Sequence, residues 1–84
     1  MNWEVRFTST AEKRIIKIPE PDKRRILLSI ARLHEGPVGD IKPLKGRDEW
    51  RLRVERWRVL LSIDMFAQVI LVKYVDVRGD VYKS

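Results

Sequence analysis

Six basic residues crowd one short stretch of the chain. Lys45, Arg47, Arg51, Arg53, Arg56 and Arg58 face only Asp48, Glu49 and Glu55 there, so half of the net charge of +6 lies within 14 residues. The spacing is as informative as the charge. Trp50-Arg51-Leu52-Arg53-Val54 alternates strictly, and Trp57-Arg58-Val59-Leu60-Leu61-Ser62-Ile63 alternates on one parity. If Glu55-Arg56 is a two-residue turn, Val54 pairs with Trp57 and Arg53 with Arg58, while Arg51 lies diagonal to Arg58 on the same face. Like charges set opposite each other cost a sheet about 0.2–1 kcal/mol, and a fold with no use for them could carry Glu or Thr instead. Charged outer faces do guard strands against edge pairing, yet three of one sign on one hairpin exceed that need. Guanidinium forks bind phosphate bidentately and stay charged at any working pH. Lys45, Arg47 and Arg56 flank this face as further phosphate-binding candidates.

Other chemistries find little support. The sequence has no cysteine and one histidine, which removes thiolate nucleophiles, thiolate metal sites and the usual His-based metal sites. No Gly-rich phosphate loop is present, and a Ser-His-Asp triad would depend on His34 alone. His34 closes a helix and reads as a partner for the helix dipole. Trp3, Trp50 and Trp57 share the inward parity and read as core. No cofactor and no metal are expected. An enzyme built from this set would work with Arg, Lys, Tyr and carboxylates, by stabilising charge on a phosphate transition state.

The elements that must hold the hairpin are readable in part. Trp3 to Thr8 alternates as a half-buried strand, with Trp3, Val5 and Phe7 on one side. Ser9-Thr10-Ala11-Glu12 matches a capping box and predicts a helix from about Thr10 to Ile18 that packs Ala11, Ile15 and Ile18 inward. Pro19 and Pro21 end it, and Pro21 suits the first position of a second helix, with Asp22 favoured by the dipole. Ile26, Leu27, Ile30, Ala31 and Leu33 form that helix's apolar stripe, and Gly36-Pro37 stops it. Residues 36–46 carry three Gly and two Pro and read as loop. Asp64 to Ala67 makes a turn. Val69 to Val75 is apolar on both parities, as expected of a central strand covered on both faces. Arg78-Gly79-Asp80 reads as a bend before the tail. The expected class is α+β: an N-terminal strand, an antiparallel two-helix pair, then a three-stranded antiparallel meander, with the helices on one face of a mainly antiparallel sheet.

At 84 residues the chain reads as one domain over 1–84, burying roughly 60–65% of its unfolded surface. No apolar run approaches the ~20 residues of a membrane span, and Met1-Asn2-Trp3-Glu4 does not resemble a secretory leader. A soluble cytoplasmic protein is expected, with polyanions, nucleic acid first, as its natural partners.

Several blocks resemble a known family. Trp3-Glu4-Val5-Arg6-Phe7-Thr8 with Ala11 is similar to the opening of RelE/ParE-type toxins. So are Lys42-Pro43-Leu44-Lys45-Gly46, the two arginine strands and the closing Val77-Arg78-Gly79-Asp80-Val81-Tyr82-Lys83. The order and spacing hold over nearly the whole chain. The resemblance implies a RelE-like microbial RNase fold and the toxin of a bacterial or archaeal type II toxin–antitoxin pair. Such toxins are metal-independent endoribonucleases that cut mRNA in the ribosomal A site through 2′-OH attack on the phosphate. By position it makes Arg58 the ligand of the scissile phosphate and gives Arg51 and Arg53 the basic places of the first hairpin strand. Arg78 becomes the terminal basic residue and Tyr82 the tyrosine that stacks on or orients the nucleotide, with Lys83 beside it as a phosphate-binding candidate. The implied partners are an acidic antitoxin that folds on binding, the ribosome and mRNA, with no membrane and a monomeric free toxin.

The sequence departs from the family in places. Arg stands where Lys is frequent at 51 and 53, Val77 stands where relatives carry His, and the hairpin turn lacks its glycine. Arg stays protonated, so the general acid and base are left open among Tyr82, Glu49 and Asp80. Two other readings stand beside the ribonuclease: a ParE-like toxin that inhibits DNA gyrase on the same fold, and a non-catalytic RNA- or ribosome-binding module.

Overall fold

A computed structural model describes residues 2–77. The sequence-based expectations for Arg78, Asp80, Tyr82 and Lys83, for the bend and for the tail fall outside that range. The architecture is α+β, with helices against a five-stranded mixed sheet of order β1-β5-β4-β3-β2. β1 (Glu4–Phe7) leads into α1 (Ser9–Ile16) and α2 (Asp22–Ala31), which continues as a 3-10 turn over Arg32–Glu35. β2 (Ile41–Pro43), β3 (Trp50–Val54), β4 (Trp57–Asp64) and β5 (Val69–Val77) complete the chain. Among the described residues no helix is long and apolar enough to cross a membrane.

β1 pairs in parallel with β5, Glu4 opposite Val69 and Phe7 opposite Val72. A parallel neighbour needs a long crossover, and the chain between β1 and β5, helices included, supplies it. α1 lies mainly against β5 and α2 reaches β3. Ala11, Ile15 and Ile18, with Ile26, Ile30 and Leu33, meet Leu52, Val59, Leu61, Ile70, Val72 and Val75 in one core. Leu27 and Ala31 of the expected stripe are exposed.

Four local expectations are corrected. The cap of α1 is Thr8, whose hydroxyl oxygen accepts from Ala11 N at 3.1 Å. The cap falls there because Thr8 is already tied to β5 through its own N–H to Val72 O. The helix stops at Ile16, with Lys17 as its C-cap. Within the supposed loop 36–46, Ile41–Pro43 forms an edge strand against Trp50–Leu52; a three-residue strand ending in proline, which is tolerated at an edge, leaves no periodicity to read.

The fourth correction concerns β5. The middle of the sheet is β4, and β5 is paired on both sides without being covered on both faces. Leu60 pairs with Tyr74 but Leu61 pairs with Val72, so Lys73 is an extra residue. Such a bulge shifts the alternation by one. Ile70 and Val72 face the core before it and Val75 after it, so the bulge accounts for Val75 on the second parity, while Val69 and Leu71 are half-buried apolar residues of the opposite face.

The hairpin register agrees with the sequence reading: Arg53 opposite Arg58 and Val54 opposite Trp57. Glu55 takes the left-handed φ of 56°, the conformation a glycine ordinarily supplies. At Gly36 the need is met by the residue itself: φ is 126°, and an added Cβ would lie 3.4 Å from the Trp3 indole nitrogen.

Candidate functional site

The arginine face is built on the side of the sheet away from the helices. Across it run two rows. Lys42 pairs with Arg51, Arg51 with Leu60 and Leu60 with Tyr74. In the next row Arg53 pairs with Arg58 and Arg58 with Asp76. Alternation on β3 and β4 places the three arginines, and the bulge at Lys73 brings Tyr74 and Asp76 round to join them.

The three arginines differ sharply in surroundings. Arg53 is paired, its Nε donating to Asp40 Oδ2 at 2.7 Å, while its backbone N–H donates to Asp40 O. Arg51 is only 8% exposed, which a solvated outer-face arginine would not be; it is flanked by β2 and β4, and its Leu60 neighbour is equally covered at 6%. Arg58 is half-buried, and its Nε is buried with no hydrogen-bond partner among the described residues. No described carboxylate lies within 4.0 Å of the Arg51 or Arg58 guanidinium. A buried, unpaired guanidinium donor is costly, and an anion is the natural partner for it.

The remaining expected residues are placed as follows. Lys45 and Arg47 are exposed in the segment before β3, and Arg47 pairs with Glu49. Glu49 also accepts from Lys73 Nζ at 2.5 Å. These hydrogen bonds, Lys73's first, hold the Glu49 carboxyl below the usual range against the opposing effect of burial, which disfavours it as a proton donor near neutrality. Arg56 turns to the helix side, within 3.5 Å of Asp22 and over the Trp57 ring, so it is not brought to the arginine face. Asp22 also accepts from the Trp57 indole N–H at 3.0 Å, fastening the hairpin to α2. His34 Nδ1 lies 3.2 Å from Trp3 O, tying β1 to the end of the helical segment. Trp57 is buried, and Trp3 and Trp50 pack partly buried against the core.

Sequence reasoning missed Arg14, Asp40, Lys73, Tyr74 and Asp76. Arg14 lies on α1, yet its Nε donates to Val75 O at 2.7 Å and its guanidinium covers the Tyr74 ring at 4.5 Å. β1 pairs β5 only as far as Val72, so the edge beyond is open there and Arg14 reaches round it. No sequence signal marks this contact, because it depends on the bulge and on where β1 stops.

A mixed sheet backed by two helices defines a class of small α+β proteins, and solved structures share that fold over nearly the whole length of this chain. A chain of the archaeal RelE–RelB complex from Pyrococcus horikoshii OT3 superposes with a TM-score of 0.82 at 26% identity, covering 95% of this chain and 99% of that one. A chain of the Mycobacterium tuberculosis toxin–antitoxin complex RelBE2 gives 0.68 at 28% identity, over 93% and 100%. Isolated Escherichia coli RelE gives 0.75 at 20% identity, over 95% and 90%, a likeness of fold. No protein-family model matches the chain, and neither does any curated protein sequence. The chain belongs to the RelE-like toxin superfamily.

Proposed function

We propose that this chain is the toxin of a toxin–antitoxin pair and a metal-independent endoribonuclease acting on mRNA in the ribosomal A site. The observation that carries the reading is Arg58: half-buried, its Nε without a partner among the described residues, and set directly opposite Arg53. A phosphate bound there would relieve both the unmet donor and the like-charge pair. In the proposed reaction the ribose 2′-hydroxyl gives up its proton as its oxygen attacks the adjacent phosphorus, the bond to the 5′-oxygen breaks, and that oxygen takes up a proton. The products are a 2′,3′-cyclic phosphate and a 5′-OH. Arg58 holds the phosphate, Arg51 and Arg53 add charge as it develops in the transition state, and Lys45 and Arg47 guide the RNA backbone. Arg78, Tyr82 and Lys83 belong to the same proposal by family position. Neither Arg51 nor Arg53 moves a proton.

An acidic antitoxin that folds on binding is the proposed partner. Two neighbours in fold were solved as RelE–RelB or toxin–antitoxin complexes. Supporting features of this chain are its net charge of +6 and apolar residues left open on the helices, Ile16 at 71% and Leu28 at 58% exposure. Ile16 also lines a groove of about 520 Å³, together with Phe7, Ile15 and Leu27, Lys23 and Glu12.

Primer extension on mRNA bound to programmed ribosomes tests the function. Wild type should cut within the A-site codon and Arg58→Ala should cut about 100-fold less, the loss typical of one transition-state charge contact. Full cutting by the variant would refute the Arg58 assignment. No cutting by a folded, toxic wild type would favour gyrase as target.

A further inference from the structure

Asp76 is the direct cross-strand neighbour of Arg58, the arrangement in which opposite charges ordinarily pair. They do not pair here; the carboxylate is turned to other donors. Arg14 Nη2 lies 2.9 Å from Oδ2, the Tyr74 hydroxyl donates to the same oxygen at 3.3 Å, and Val77 N donates to Oδ1 at 2.7 Å. Arg14 is itself fixed by its bond to Val75 O and by the Tyr74 ring.

We propose that Arg14 is a positioning residue for the phosphate site: it holds Asp76 back from Arg58 and so keeps the Arg58 guanidinium open to phosphate. The inference rests on the reading of Arg58 as a phosphate ligand. Without Arg14, one side-chain rotation would bring the Asp76 carboxylate to Arg58, where it would compete with phosphate as an internal anion.

The test is binding of a short fluorescent single-stranded RNA to purified protein, followed by anisotropy, with urea unfolding as a check on folding. Arg14→Gln should weaken binding about tenfold, the scale of one charge-assisted hydrogen bond. Asp76→Asn should bind at least as well as wild type, and Arg14→Gln with Asp76→Asn should return to within about twofold of it. Arg14→Gln with Glu35→Gln, which restores the same net charge far from Arg58, should stay weak. Wild-type binding by Arg14→Gln would overturn the proposal. So would failure of Asp76→Asn to rescue it, or equal rescue by Glu35→Gln, which would reduce Arg14 to edge cover or bulk charge. Equal binding by wild type and Arg58→Ala would instead overturn the phosphate reading itself, and this inference with it.

Discussion

The Thr8 hydroxyl donates to the Lys73 carbonyl at 2.9 Å, fastening the start of α1 to the bulged residue of β5. The same oxygen accepts from Ala11 N, so one side chain caps the helix and satisfies the bulge. The bulge turns Tyr74 and Asp76 to the arginine face, and α1 carries the Arg14 that meets them. The local geometry around Arg58 therefore depends on a junction on the other side of the sheet.

Replacing Thr8 by Val keeps the shape and removes both bonds. The variant should lose about 1–2 kcal/mol, the usual worth of an N-cap, read as a lower urea midpoint in tryptophan fluorescence. An unchanged midpoint would mean that the junction contributes nothing to stability.

Acid should weaken the fold from one side only. Hydrogen bonds from Arg53 to Asp40, from Lys73 and Arg47 to Glu49, and from Arg6 to Glu4 hold those carboxyls below their usual range. Groups with a depressed folded pKa contribute stability that is complete above the unfolded carboxylate values and is lost as pH falls through the folded ones. Stability should thus be flat from pH 7 to about 5 as far as these groups govern it, then decline. Glu49→Gln should be less stable than wild type at pH 7 and should lose less between pH 7 and pH 3. An identical decline in the variant would show that the Glu49 ion pairs carry no linked stability.

Much of the arrangement was legible because it rests on alternation. Period two, strict in Trp50–Val54 and held on one parity in Trp57–Ile63, places Arg51, Arg53 and Arg58 together, and a two-residue turn sets the register even though Glu55 must adopt a left-handed φ without glycine. What was not legible rests on interruptions of periodicity. The extra residue Lys73 reverses the faces of Tyr74, Val75 and Asp76, and nothing in Val69–Val77 marks where the reversal falls. Ile41–Pro43 is too short to alternate. Asp40 and Arg14 reach their partners Arg53 and Asp76 from separate elements, across the fold, and spacing along the chain does not encode such pairs. The burial of Arg51 likewise follows from neighbours on both sides, β2 and β4, of which the first was not foreseen.

The central claim is that this chain cleaves RNA by using the RNA's own 2′-hydroxyl. The direct test programs ribosomes with an mRNA carrying a single 2′-deoxynucleotide on the 5′ side of the cut position and compares it with the all-ribose message in the presence of EDTA. The account predicts cutting of the all-ribose mRNA, a 2′,3′-cyclic phosphate on the upstream fragment, and no cutting at the deoxy position. Cleavage at the deoxy position, or a requirement for metal, would contradict it.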